Sequence, residues 1–144
     1  MSNPSNEVSK REKVRRPGEP PVTRLDSSEM IAATARARAT LDQFIVRIQA
    51  KPDPNHRGFA IKAAFASPDG ECEHIWITSP TWDGQQFTGQ IDNEPLATKL
   101  VKLGDVVHVK PDELTDWMYL DSNQLVGGYT VRLLYPTVRA KKDD

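Results

Sequence analysis

The sequence predicts an α+β domain in which an amphipathic N-terminal helix packs on a small, strongly curved antiparallel sheet. Three observations carry that expectation. A helical apolar stripe occurs between residues 26 and 51, strand-like alternation broken by turn residues fills the chain from Arg57 onward, and no strand–helix–strand alternation calls for a parallel sheet. At 144 residues, with 38% hydrophobic and 27% charged side chains, the chain is the size of one domain with one substantial core.

The helix is expected from Asp26 to Lys51. Asp26 can accept the free amides of the first turn while Glu29 reaches back, a capping box with Asp in place of Ser or Thr. Met30, Thr34, Ala37, Leu41, Phe44 and Ile48 recur at spacings of four and three and form one stripe, which Pro52 and Pro54 bring to an end. This stripe is expected to pack on the domain's own sheet.

The first strand follows. Phe59, Ile61, Ala63 and Phe65 alternate with Ala60, Lys62, Ala64 and Ala66, giving one bulky face and one of mainly small residues. Pro68-Asp69-Gly70 turns the chain into Glu73–Thr78, EHIWIT, where Ile75 and Ile77 share one face and His74, Trp76 and Thr78 share the other. That second face is either a site or a packed surface; the expectation is a packed surface, covered by the helix. Asp83-Gly84 signals a hairpin that pairs Ile75–Thr81 with Gln86–Asp92. After the break at Asn93-Glu94-Pro95, Leu103-Gly104-Asp105 turns into a strand over Val106–Val109. Pro111 to Thr115 reads as a helical turn or loop, Trp117 to Leu120 as a strand and Ser122-Asn123 as a turn. Gly127-Gly128 marks a bulge or close backbone approach before a last strand over Tyr129–Tyr135, with a helix over Gly128–Leu134 as the alternative. Strands this short and strongly turned curl into a partly closed, SH3-like barrel, so the β-rich part is expected over residues 57–136.

Charge separates the ends from the body. Residues 1–25 carry six Lys/Arg against three Glu, with Pro17, Pro20 and Pro21 and no apolar run, the composition of a disordered basic arm. Residues 137–144 read as a flexible charged tail. With both ends net positive and the whole chain at -1, the body between them is acidic, which argues against a nucleic-acid-binding domain, whose footprint is a basic face, and no nucleic-acid partner is expected for the core. The single cysteine, Cys72, excludes an internal disulfide framework and fits a reducing compartment. There is neither an apolar leader before Met30 nor a stretch of about 20 apolar residues. The expected location is the cytoplasm, away from membranes.

The landmarks EHIW (Glu73–Trp76), TGQIDNEP (Thr88–Pro95), LGDVV (Leu103–Val107), DWMYLD (Asp116–Asp121) and LVGGYTVRLL (Leu125–Leu134) occur in that order. Together they resemble the bacterial YegJ-like family, the domain-of-unknown-function family numbered 2314, from about Gly58 to Leu134. The resemblance implies a fold boundary but no activity, cofactor or catalytic residue.

The chemistry has to be weighed residue by residue. Cys72-x-His74 is the closest pair of metal-ligand types, and the four-ligand spacings of a zinc site are missing, so neither a metal nor a cofactor is expected. No GxSxG, HExxH, Walker or dinucleotide-binding motif occurs. The candidate cleft residues are Glu73, His74, Trp76, Asn93, Glu94, Asp116, Trp117, Gly127, Gly128 and Tyr129, which sit at element boundaries or carry aromatic surface. The first functional expectation is a non-catalytic binding module of regulatory or immunity type with a protein or small-ligand partner. The alternative is a small acid-base enzyme using His74 with Glu94 or Asp116.

Overall fold

The computed structural model of the chain describes residues 27–142; the expected arm over residues 1–25 and the cap Asp26 lie outside the described residues. The helical stripe forms, but as two helices rather than one: α1 (Ser27–Ala39) and α2 (Leu41–Gln49). The break falls at Thr40, whose hydroxyl donates back to the Arg36 carbonyl at 2.8 Å, a contact that bends helices. The Trp117 indole N–H arrives at the same place and donates to the Ala37 carbonyl at 3.0 Å. The break is thus held by a side chain 80 residues away.

Six strands follow: β1 (His56–Ala66), β2 (Cys72–Trp82), β3 (Phe87–Ile91), β4 (Val106–Val109), β5 (Leu114–Asp121) and β6 (Gln124–Gly127). They lie in the order β4-β3-β2-β1-β5-β6, antiparallel throughout, as a curled half-barrel. The Asp83-Gly84 hairpin has the expected partners, with Trp82 opposite Phe87 and Ile77 opposite Ile91. The register slips between Thr78 and Thr81 on β2 and twice along β1 and β5. Such bulges increase local twist and curl the sheet.

Ile61 stands opposite both Ile77 and Trp117, so these three form a row on one sheet face. Both N-terminal helices pack there. Phe44, fully buried, places its ring 5.3 Å from Trp117, 6.0 Å from Phe87 and 6.2 Å from Phe59. Helices cover the face that offers more apolar area, which here is the isoleucine face. The expectation that the helix covers the His74–Trp76 face is therefore corrected: His74 is exposed and Trp76 half-buried on the opposite side.

The last strand also differs. It ends at Gly127, and Tyr129–Leu134 forms a short helix, α3, instead of a strand. Gly127 and Gly128 adopt left-handed φ values of 71° and 63°, which only glycine takes without strain. A Cβ on Gly127 would stand 2.5 Å from the Trp117 ring. The chain therefore turns out of the sheet, and α3 packs against α1 and β5 where β6 has stopped. Beyond it, the expected tail runs beside β6: Leu125 donates to the Arg139 carbonyl and accepts from the Lys141 amide.

Candidate functional site

Three places bring chemistry together. The first is a row across three strands, where Lys62 on β1 stands opposite Trp76 on β2 and Asp116 on β5. Asp116 is 0% exposed. Its Oδ1 accepts the amides of Trp117 at 2.9 Å and Tyr129 at 3.2 Å, and its Oδ2 accepts the Thr130 amide at 2.9 Å and the Thr130 hydroxyl at 2.5 Å. The carboxylate thus satisfies the free amides at the start of α3, where a negative charge is favoured. Lys62, 7% exposed, donates to the same Thr130 hydroxyl at 2.6 Å and lies 5.2 Å from the Trp76 ring centroid. Burial pulls the Lys62 pKa below the ordinary lysine value, and the Asp116 charge opposes that pull.

This cluster is closed. A carboxylate accepting four hydrogen bonds and inaccessible to solvent has no capacity left to take a proton from a substrate. Its hydrogen bonds tie the start of α3 to β5 and, through Thr130, to Lys62 on β1.

The expected cleft is divided accordingly. Asp116, Trp117, Gly127, Gly128 and Tyr129 come together, with Trp76 at their margin through Lys62. Tyr129 meets Trp117 edge-on at 6.0 Å, and the Arg36 and Arg132 guanidinium groups lie 5.0 and 4.8 Å from its ring centroid. Glu73 serves elsewhere, accepting the amides of Leu96, Ala97 and Thr98 at 2.7 to 2.8 Å and so clamping that loop. Asn93 and Glu94 are exposed. His74 lies on β2 opposite Ala64, one sheet position removed from the sealed Asp116 row. Among the described residues, no three His, Cys, Asp or Glu side chains gather as a metal site would require. Sequence reasoning missed Lys62 and Thr130. The available signal was a lysine set in a strand face of alanines, a composition that leaves room for something to close over it.

The second place is a groove of about 300 Å³ where the end of α2, the start of β1 and the β2 bulge meet. Arg47, Ile48, Pro52, His56, Phe59 and Pro80 line it. His56 directs Nε2 towards Asp121 at 3.4 Å and Asp53 at 3.8 Å. The Lys141 ammonium, joined by His56, holds the Asp121 carboxyl below the usual carboxylate range. Phe59 stacks on Tyr119 with ring centroids 5.0 Å apart, and His56 meets the same tyrosine at 5.1 Å.

The third place is apolar. Four of the seven large hydrophobic side chains exposed among the described residues fall between residues 96 and 106: Leu96, Leu100, Leu103 and Val106. Val106 belongs to β4, whose only strand partner among the described residues is β3, and the other three lie on the loop that leads into it, whose start is bonded to Glu73 of β2.

The uncharacterized protein YegJ of Escherichia coli K12 is 33% identical to this chain over 119 residues, covering 83% of this chain and 75% of that protein. A protein of Neisseria meningitidis serogroup B named for ankyrin repeats is 37% identical over 67 residues, 46% of this chain but only 26% of that one. No solved structure matches the chain. A match over residues 27–143, which takes in both helices, the whole sheet and α3, shows that the chain belongs to DUF2314, a family described as an uncharacterized protein conserved in bacteria.

Proposed function

We propose that this chain is a non-catalytic, cytoplasmic interaction domain, regulatory or immunity-type in role, that docks a protein partner along the β4 margin. The observation that carries this reading is the exposure of Leu103 and Val106 at the start of the edge strand β4, together with Leu96 and Leu100 on the loop that leads into it. Exposed apolar patches and open strand edges are the two surface features that partners most readily cover. The opposite margin is partly covered, because residues 139–141 run beside β6 and bond to Leu125. Of the acid-base alternative, His74 with Glu94 or Asp116, the Asp116 branch loses its support because that carboxylate is sealed, and the branch through Glu94 rests on an exposed loop residue. That a related stretch occupies about a quarter of a longer protein named for ankyrin repeats is in keeping with a module that works beside other units.

A photo-crosslinking residue placed at Leu100 in the native host tests the docking. Ile31, equally exposed on α1, is the control position. The expected result is one discrete adduct from Leu100, none from Ile31, and loss of the adduct on adding Val106→Asp. Equal labelling at both positions, or an adduct with the mass of two copies of this chain, overturns the reading.

A further inference from the structure

Three buried side-chain polar atoms find no hydrogen-bond partner among the described residues, and two of them, Arg47 Nε and His56 Nδ1, belong to the walls of one groove. A buried polar atom without a partner is a standing cost that an arriving ligand removes, and the cost is larger on a charged group such as the Arg47 guanidinium. We propose that the groove between α2, β1 and β2 binds a small organic carboxylate with a planar apolar body, the carboxylate taken by the Arg47 guanidinium. This site is independent of the β4 margin.

Four features define that ligand. Among the described residues the Arg47 fork has one hydrogen-bond partner, the Lys51 carbonyl, which it meets through Nη2. Lys51 is exposed, so water can replace the guanidinium there and let Nε and Nη2 together meet two carboxylate oxygens, the planar pairing at which arginine excels. Next, His56 is oriented by its Nε2 contacts to Asp121 and Asp53, which leaves Nδ1 as the polar atom still to be served.

Asp53, on the same wall, does not bar an anion. Its Oδ1 accepts the Asn55 amide at 2.8 Å and its Oδ2 faces the imidazole, while the Lys141 ammonium pairs with Asp121. The body of the ligand is set by Ile48, Pro52, Phe59 and Pro80, four apolar surfaces of which Phe59 is flat and held by its stack on Tyr119. About 300 Å³ lies at the small end of ligand pockets and suits one ring with a short chain. Finally, Ser79 on the rim holds φ at 52°, a left-handed backbone on a non-glycine residue inside the β2 bulge. Strain of that kind persists where surrounding structure enforces it, and it collects at binding sites.

Phenylacetate titrated into the full chain, read by amide NMR, is the test. The expected result is saturable shifts at Ile48, Phe59 and Ser79. The neutral 2-phenylethanol should bind at least about tenfold more weakly, and Arg47→Ala should weaken phenylacetate by a similar factor, the weight of one charge-assisted hydrogen bond. Arg47→Lys, which keeps charge but not the fork, should weaken it as well, and decides the matter if the alanine variant does not fold. Leu100→Ser should leave phenylacetate binding unchanged, which separates this site from the docking surface. Absence of saturable shifts, equal binding of the alcohol, or indifference to both Arg47 substitutions overturns the proposal.

Discussion

The Lys62–Thr130–Asp116 cluster and the Arg47–His56 groove each set cationic groups beside carboxylates, yet they end in opposite states of satisfaction. In the cluster, every carboxylate oxygen accepts two hydrogen bonds and the ammonium has a hydroxyl partner and an aromatic face. In the groove, two buried nitrogens are left over beside an open apolar hollow. The comparison separates two uses of buried charge: where all polar atoms are paired within the chain, the group serves the fold, and where pairing is incomplete next to a cavity, the group is left to serve something else.

The largest expected effect breaks the cluster. Asp116→Ala would leave the Lys62 charge buried without its counter-charge and strip the acceptors from three backbone amides. Removing one partner of a buried pair costs about 3 to 5 kcal/mol, so urea denaturation should show a loss of that size. A loss below about 1 kcal/mol, the size expected of a surface pair, would mean that the cluster does not hold α3 in place.

Next comes Trp76→Ala. Had Trp76 been a core residue, truncation would cost about 3 to 5 kcal/mol. Half-buried and resting on Lys62, it should cost about 1 to 2 kcal/mol, roughly half the burial of a core aromatic together with a cation–π contact. A core-sized loss in denaturant titration would extend the closed region across the whole His74–Trp76 face.

How much of this was legible depends on the range of the interactions. The Asp83-Gly84 hairpin and the alternation of Ile75 and Ile77 are local, set by turn chemistry and side-chain period, and they were readable. The break at Thr40 was not, because it rests on Trp117, 77 residues further on. Tyr129–Leu134 carries the strand-forming residues Tyr129, Thr130 and Val131 and reads as β; Asp116 at its N-terminus, with two left-handed glycines before it, overrides that preference. Lys62 stood out among alanines, but its partners Asp116 and Thr130 become neighbours only after folding, as do Arg47, His56 and Ser79 in the groove.

A pH dependence sharpens the account of Lys62. Its folded pKa is lowered by burial, while in the unfolded chain it returns towards the ordinary lysine value of 10.5. Between those two values the unfolded state binds more protons, so stability contributed through Lys62 rises as pH increases. It is lost as pH falls through the folded pKa, because the proton must then be held in a buried site. Lys62→Met has no such group. The stability of the natural chain relative to Lys62→Met should therefore increase as pH rises from neutral towards 10.5, and a relative decrease would show that Asp116 outweighs burial and that the ammonium is held more firmly than water holds it.

The smallest expected effect lies in the groove and completes the contrast with Asp116. Arg47 is only half-buried, its carbonyl contact to Lys51 is replaceable by water, and its Nε is unpaired. Replacing it by alanine removes a group that is already poorly satisfied, so little is left stranded. Surface substitutions away from strong partners change stability within about 0.5 kcal/mol, and Arg47→Ala should stay within that bound in the absence of any ligand. The aliphatic stem covers apolar surface near Ile48, which sets a small loss against the small gain from removing an unpaired donor. Denaturant midpoints of the two variants, measured side by side, then read the comparison directly: Asp116→Ala far below the natural chain, Arg47→Ala beside it. If Arg47→Ala proved as damaging as Asp116→Ala, the guanidinium would have to be paired in solution, and the groove would be a second closed cluster rather than a place prepared for a ligand.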